Sequence, residues 1–153
     1  MYEKILVPLD GSRTGEAALP FVEELASKLS PRANVEVTLF QVVSWRDLGL
    51  VGVEATPITE KELNPIIAQS MDYLNKAGEG LRKKGATVKT KVAIGLAAEE
   101  IIKAADEISA DFIAMSTHGR SGISRWAFGS VADKVLQGAT KPILLVRAQK
   151  LAA

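Results

Sequence analysis

Five short apolar runs, rich in β-branched residues, alternate along this chain with stretches of helical periodicity, and that alternation restricts the fold more than any other feature. The runs are Ile5-Leu6-Val7, Val35 to Val43, Val88 to Val92, Asp111 to Met115 and Pro142 to Val146. A strand wetted on one face alternates apolar with polar residues, whereas a run apolar throughout is covered on both faces. Only the third run alternates, with Lys89 and Lys91 between Val88, Thr90 and Val92, which suits a half-exposed strand. Strands separated by helices pair in parallel, because the helix is the crossover, and right-handed crossovers leave few topologies. The expectation is an α/β protein: a doubly wound five-stranded parallel sheet in the order 3-2-1-4-5, with helices on both faces. Its 153 residues are about one domain's worth, so a single domain over 1–153 is expected.

Between the first two strands Ala18, Phe21, Val22, Leu25, Ala26 and Leu29 recur at helical spacing, with Ser12 available as a cap. Pro20 should kink that helix or trim its first turns. Residues 44 to about 60 hold Trp45, Gly49, Gly52 and Pro57 without a period, and long loops of this kind are usually functional or mobile. Leu63, Ile66, Ile67, Met71, Leu74, Ala77 and Leu81 mark the next helix, with Asn64-Pro65 as its cap and first position or as an early kink, and Gly85 as its end. A third helix runs from Ala97 to Ile108. A fourth opens at Gly129-Ser130, continues through Val131, Val135 and Leu136, and closes at Gly138.

Composition removes several function classes. Cysteine is absent, which excludes disulfide scaffolds, cysteine nucleophiles and thiolate metal centres, and a single histidine excludes a multi-histidine metal site. Lys and Arg number 19 against 18 Asp and Glu, so no overall field draws the chain to nucleic acid or an anionic membrane. No stretch approaches the about 20 apolar residues of a membrane span. Met1-Tyr2-Glu3-Lys4 leads straight into the first strand without a signal-peptide layout, so a cytoplasmic protein is the expectation.

A doubly wound sheet receives its ligand beyond the carboxyl ends of its strands, where the order reverses. That point lies between the loop Pro8-Leu9-Asp10-Gly11-Ser12 and the loop Ser116-Thr117-His118-Gly119-Arg120-Ser121-Gly122, which are also the loops richest in glycine and polar side chains. Gly119 and Gly122 allow backbone to approach a ligand closely. Ser121, Thr117 and Ser130 offer hydroxyls, and Arg120 and Arg125 offer charge that pairs with phosphate. Gly129-Ser130 starts a helix, where free amides and the helix dipole favour an anion. A phosphate chain lying from loop to helix end fits this set; a glycine-rich loop that merely turns the chain is the plainer alternative.

Ser116-Thr117-His118-Gly119, nine residues, then Gly129-Ser130 resembles the nucleotide motif of the universal stress protein family: Gly-x-x-Gly, nine residues, Gly, then Ser or Thr. Lys4 to Ser12, Gly95 to Ile101 and Lys141 to Val146 are similar to that family's first strand and turn, its third strand–helix junction and its last strand. The first motif glycine is Ser116 here, and its hydroxyl could donate to a phosphate or close off a backbone approach. The resemblance implies ATP as ligand, with Mg²⁺. It implies a nucleotide site of Pro8, Leu9, Asp10, Val42, Met115, Ser116, His118, Gly119, Arg120, Ser121, Gly122, Gly129, Ser130 and Val131. In it Asp10 lies near the ribose or adenine and Val42 touches the adenine. It also points to a homodimer.

Catalytic sets are weak by comparison. His118 beside Asp10 and Ser12 has the composition of a Ser-His-Asp set, but no Gly-x-Ser-x-Gly elbow follows a strand, and a loop histidine packing near the ligand is the simpler reading. Walker A and dinucleotide fingerprints are absent. A phospho-aspartate receiver lacks its acidic cluster and its lysine after the last strand, and a pyrophosphatase-type ligase lacks its Ser-Gly-Gly loop. The expected function is an ATP-binding, nucleotide-gated stress-response regulator, with no catalytic residue and no protein-held metal. The alternatives are a nucleotide-free dimeric interaction module and a slow ATPase. Strand 142–147 has no charge before Arg147 and is the expected dimer edge. A further, unidentified protein partner is compatible with such a switch.

Overall fold

The computed structural model describes residues 4–49, 57–118 and 129–148. Strands β1 (Lys4–Pro8), β2 (Glu36–Ser44), β3 (Thr87–Gly95), β4 (Phe112–Ser116) and β5 (Ile143–Val146) form one sheet in the order β3-β2-β1-β4-β5, every pair parallel. The topology is the expected one, because apolar strands joined by helical crossovers have few other ways to bury both faces.

Alternating side chains of β1 to β4 feed two cores. Ile5 and Val7 of β1, with Val37 and Leu39 of β2, pack under α1 (Leu19–Leu29), α2 (Glu60–Ala77) and α3 (Glu79–Lys83). Leu6 and Phe40 point the other way, and with Ile113 and Met115 they meet α4 (Ala97–Glu107) and α5 (Ser130–Gly138). Each fully buried side chain of this size contributes about 1.5–3 kcal/mol relative to exposure.

Several boundaries differ from the sequence expectation, each for a local reason. The first crossover starts as a 3-10 turn at Gly15–Ala18 before α1, with Pro20 in α1's first turn, where a missing amide is harmless. Phe21 and Leu136, expected inward, are exposed. Asn64-Pro65 does not start α2. The Thr59 hydroxyl accepts from the Glu62 amide while the Glu62 carboxylate accepts from the Thr59 amide, a reciprocal cap that begins the helix at Glu60 and leaves Pro65 inside it. The single helix expected through Leu81 is divided at Gly78, where an added Cβ would lie 2.8 Å from Val88 Cγ1 and 3.2 Å from Leu39 Cδ1. The chain backbone there rests directly on side chains of β2 and β3.

The ladder between β1 and β2 runs the whole length of β1, from Lys4↔Glu36 to Pro8↔Phe40. Between β1 and β4 it covers only Ile5↔Phe112 and Leu6↔Ile113. Beyond Leu6 and Ile113 the register between the two strands stops, and in a doubly wound sheet the ligand crevice lies outside the carboxyl ends of the strands at this switch point.

Candidate functional site

One lip of the crevice is the loop after β1. The Leu9 amide donates to Phe40 O at 2.8 Å, extending the β1–β2 ladder by one bond, while the Leu9 side chain is buried in the first core. Asp10 then folds the loop on itself. Its Oδ1 accepts from the Ser12 amide at 3.0 Å and from the Ser12 hydroxyl at 2.6 Å, and Ser12 Oγ in turn accepts from the Gly15 amide at 2.9 Å. A side chain on Gly15 would run into Asp10 Oδ1 and lie 3.0 Å from Ser12 Oγ, so the turn closes only around glycine.

The other lip is the end of β4. Met115 is buried in the second core, beneath the crevice. Ser116 belongs to the strand and not, as the sequence suggests, to the loop; it is buried, and its hydroxyl donates to Gly15 O at 2.9 Å. The extra hydroxyl relative to the motif glycine is therefore directed at the opposite lip's backbone. Thr117 and His118 are also buried. The Thr117 amide donates to Val146 O at 2.9 Å, and Thr117 Oγ1 accepts from the Ala148 amide at 3.3 Å and lies 3.1 Å from His118 Nδ1.

The start of α5 closes the crevice against this strand end. The Gly129 amide donates to Thr117 O at 2.6 Å, and a Cβ at Gly129 would stand 2.7 Å from that same oxygen. The N-cap of α5 is Gly129, and no side chain among the described residues caps the helix, a start at which first-turn amides suit an anion. Ser130, in that first turn, is exposed, and Val131 packs on the second core. Val42 of β2 reaches the same core from the sheet. The structure thus brings Pro8, Leu9, Asp10, Met115, Ser116, His118, Gly129, Ser130 and Val131 to the strand ends around one crevice, with Val42 at the end of the neighbouring strand. Gly119, Arg120, Ser121, Gly122 and Arg125 lie outside the described residues.

The arrangement does not read as a catalytic triad. Ser12 gives its hydroxyl proton to Asp10 directly, whereas a triad routes it to an imidazole. No group of three or more metal-ligating side chains occurs among the described residues, and no helix among them is long and apolar enough to cross a membrane.

Two residues bearing on the site escape a sequence reading. Tyr73 of α2 packs its ring on the first core and donates its hydroxyl to Glu16 Oε1 at 2.7 Å. Burial, then the Glu16 hydrogen bond, holds the phenol's pKa far above its ordinary value, with Asp10 adding to the effect and the Gly11 amide opposing it. A tyrosine on the core side of a helix does carry one signal, since its hydroxyl needs a partner once buried. Nothing in the local sequence says that the partner is Glu16.

A model of the universal stress protein family matches residues 1–147. The chain belongs to the universal stress protein family. This universal stress protein is 30% identical over 159 residues to MJ0577 of Methanocaldococcus jannaschii, covering 96% of each chain. To YxiE of Bacillus subtilis it is 33% identical over 149 residues, covering 96% of this chain and all of that one. The solved structure of MJ0577 superposes with a TM-score of 0.78 at 27% identity, covering 99% of both chains. A universal stress protein from Archaeoglobus fulgidus, solved in complex with dAMP, superposes with a TM-score of 0.59 at 26% identity, covering 94% of this chain and 97% of that one.

Proposed function

We propose that this universal stress protein binds an adenine nucleotide, ATP with Mg²⁺, in the crevice between the ends of β1 and β4, and that occupancy switches a surface read by a partner, with little or no catalysis. The observation that carries this reading is the start of α5: its N-cap is a glycine, with no side chain to take the first-turn amides, and it is pressed against Thr117 O just past the end of β4. Backbone donors at a helix start suit phosphate oxygens. The Asp10 loop, on the far lip, suits the nucleoside. The dAMP complex of the Archaeoglobus fulgidus relative supports adenine as the base. Magnesium accompanies the triphosphate, because it is held largely by phosphate oxygens and water. Ser116 is compatible with the nucleotide reading, since its hydroxyl is taken up by Gly15 O and ties the loop after β1 to the end of β4. A cytoplasmic homodimer paired along β5 completes the proposal.

Calorimetry with ATP, AMP and adenosine tests it, on the wild type and on Ser130→Glu. A carboxylate in the first turn of α5 favours the helix itself, so the variant folds while repelling phosphate. ATP affinity should fall by about tenfold or more, AMP less and adenosine hardly at all, as expected for a charge repulsion of about 1–2 kcal/mol. Equal ATP affinity in both proteins would place the phosphates elsewhere, and no binding by the wild type at millimolar ATP would favour the nucleotide-free module.

A further inference from the structure

The loop from Asp10 to Glu16 has little regular structure of its own, yet it is held from both sides by residues distant in sequence. Ser116, 101 positions away, donates to Gly15 O at 2.9 Å from the β4 side. Tyr73, 57 positions away, donates to Glu16 Oε1 at 2.7 Å from the α2 side. Between these anchors the Asp10–Ser12–Gly15 bonds transmit position to the Asp10 carboxylate. Gly15 is the shared element: its carbonyl is taken by Ser116, its amide by Ser12, and its bare Cα lets Asp10 lie against it.

We propose that Tyr73 and Ser116 are positioning residues for the nucleoside end of the site, clamping the Asp10–Glu16 loop between α2 and β4. The inference rests on the nucleotide reading above and deepens it, since neither side chain has to touch the ligand. Tyr73 suits the task because its half-buried ring packs against the first core, which narrows where its hydroxyl can reach. Ser116 suits it because a buried strand end has nowhere to move. A ligand that needs Asp10 in one place then binds without first ordering the loop, which is how preorganisation raises affinity.

The test uses Tyr73→Phe and Ser116→Ala, each of which deletes one hydroxyl and keeps the packing, and Glu16→Gln, whose amide oxygen still accepts from Tyr73. Both hydroxyl deletions should weaken ATP, AMP and adenosine by the same factor, about three- to tenfold, the range of one net hydrogen bond. Glu16→Gln should bind like the wild type, and that retention is the sign of a positioning bond. Hydrogen exchange at the Gly11, Ser12 and Gly15 amides should accelerate in Tyr73→Phe and Ser116→Ala, while β1 stays protected. Lowered melting temperatures with unchanged affinity for all three ligands would overturn the proposal and leave these bonds merely structural. If the wild type binds no adenine ligand the nucleotide reading fails by itself, and unchanged loop exchange in both variants would separately overturn the clamp.

Discussion

At the scale of single residues, Gly129 has two functions that a substitution cannot separate. Its amide donates to Thr117 O, and any Cβ would meet the same oxygen at 2.7 Å. Replacing it therefore changes the seat of α5 on β4 before it changes any ligand. Gly129→Ala should lower stability by about 1–3 kcal/mol, the usual range for overpacking, and urea denaturation without nucleotide checks this. An unchanged midpoint would mean that α5 shifts at little cost. His118 allows the opposite expectation. It is buried beside Thr117, and the Ser12 hydroxyl is already given to Asp10. Any ATP hydrolysis should survive His118→Ala within about tenfold, short of the about 10²–10⁴-fold loss that follows removal of a general base. A larger loss with ATP binding intact would return the imidazole to a catalytic role.

Among the elements, α2 depends most visibly on a cap. Its N-terminus rests on the Thr59–Glu62 pair, and the hydrogen bond from the Thr59 backbone, then that from its side chain, holds the Glu62 carboxyl below its ordinary pKa. A carboxyl whose pKa is lowered on folding stabilises the fold above its unfolded value and loses that contribution as pH falls through the folded one. The first-turn amides of α2 should thus be protected near neutral pH and exchange faster, after correction for intrinsic rates, below about pH 4. In Glu62→Gln the pH dependence should largely vanish. A profile identical to the wild type would show that other carboxylates govern the fraying. The same helix carries Tyr73 about one turn before its end, so α2 links the Thr59–Glu62 cap to the loop after β1 through the Glu16 bond.

For the whole molecule the open question of assembly turns on β5. Pro142 O accepts from the Ile113 amide and Val146 O accepts from the Thr117 amide, so Pro142, Leu144 and Val146 direct their backbone groups at β4. Ile143 and Leu145 direct theirs away from the sheet. Leu144 is exposed. An apolar edge of this kind invites a second strand unless a partner covers it, and a twofold axis would pair β5 with its own copy. The opposite edge is guarded: Lys89 pairs with Glu36 at 2.8 Å and Lys91 with Glu107 at 2.6 Å. Leu145→Pro removes an outward amide and no bond to β4. Sedimentation should show a wild-type dimer at tens of micromolar, about the range where a modest interface persists, and a monomeric variant. A monomeric wild type, or a variant dimer of equal affinity, would refute pairing through β5.

The sheet order and the placing of helices on both faces were legible in the chain, though not every residue of the helix faces, since Phe21 and Leu136 turn out exposed. They follow from periodicity, and periodicity records how each side chain divides between water and core. The contacts that shape the site leave no such record. Ser116 reads as the start of a glycine-type loop, and only folding shows its hydroxyl on Gly15 O. Tyr73 reads as one more residue of an amphipathic helix, and its partner, 57 positions away, is reached only when α2 crosses the sheet. Gly78 gives no sign that it must clear Val88 and Leu39. In each case the deciding atom belongs to a distant segment, so the interaction depends on where tertiary packing puts that atom, whereas local pattern reports only whether a side chain is buried.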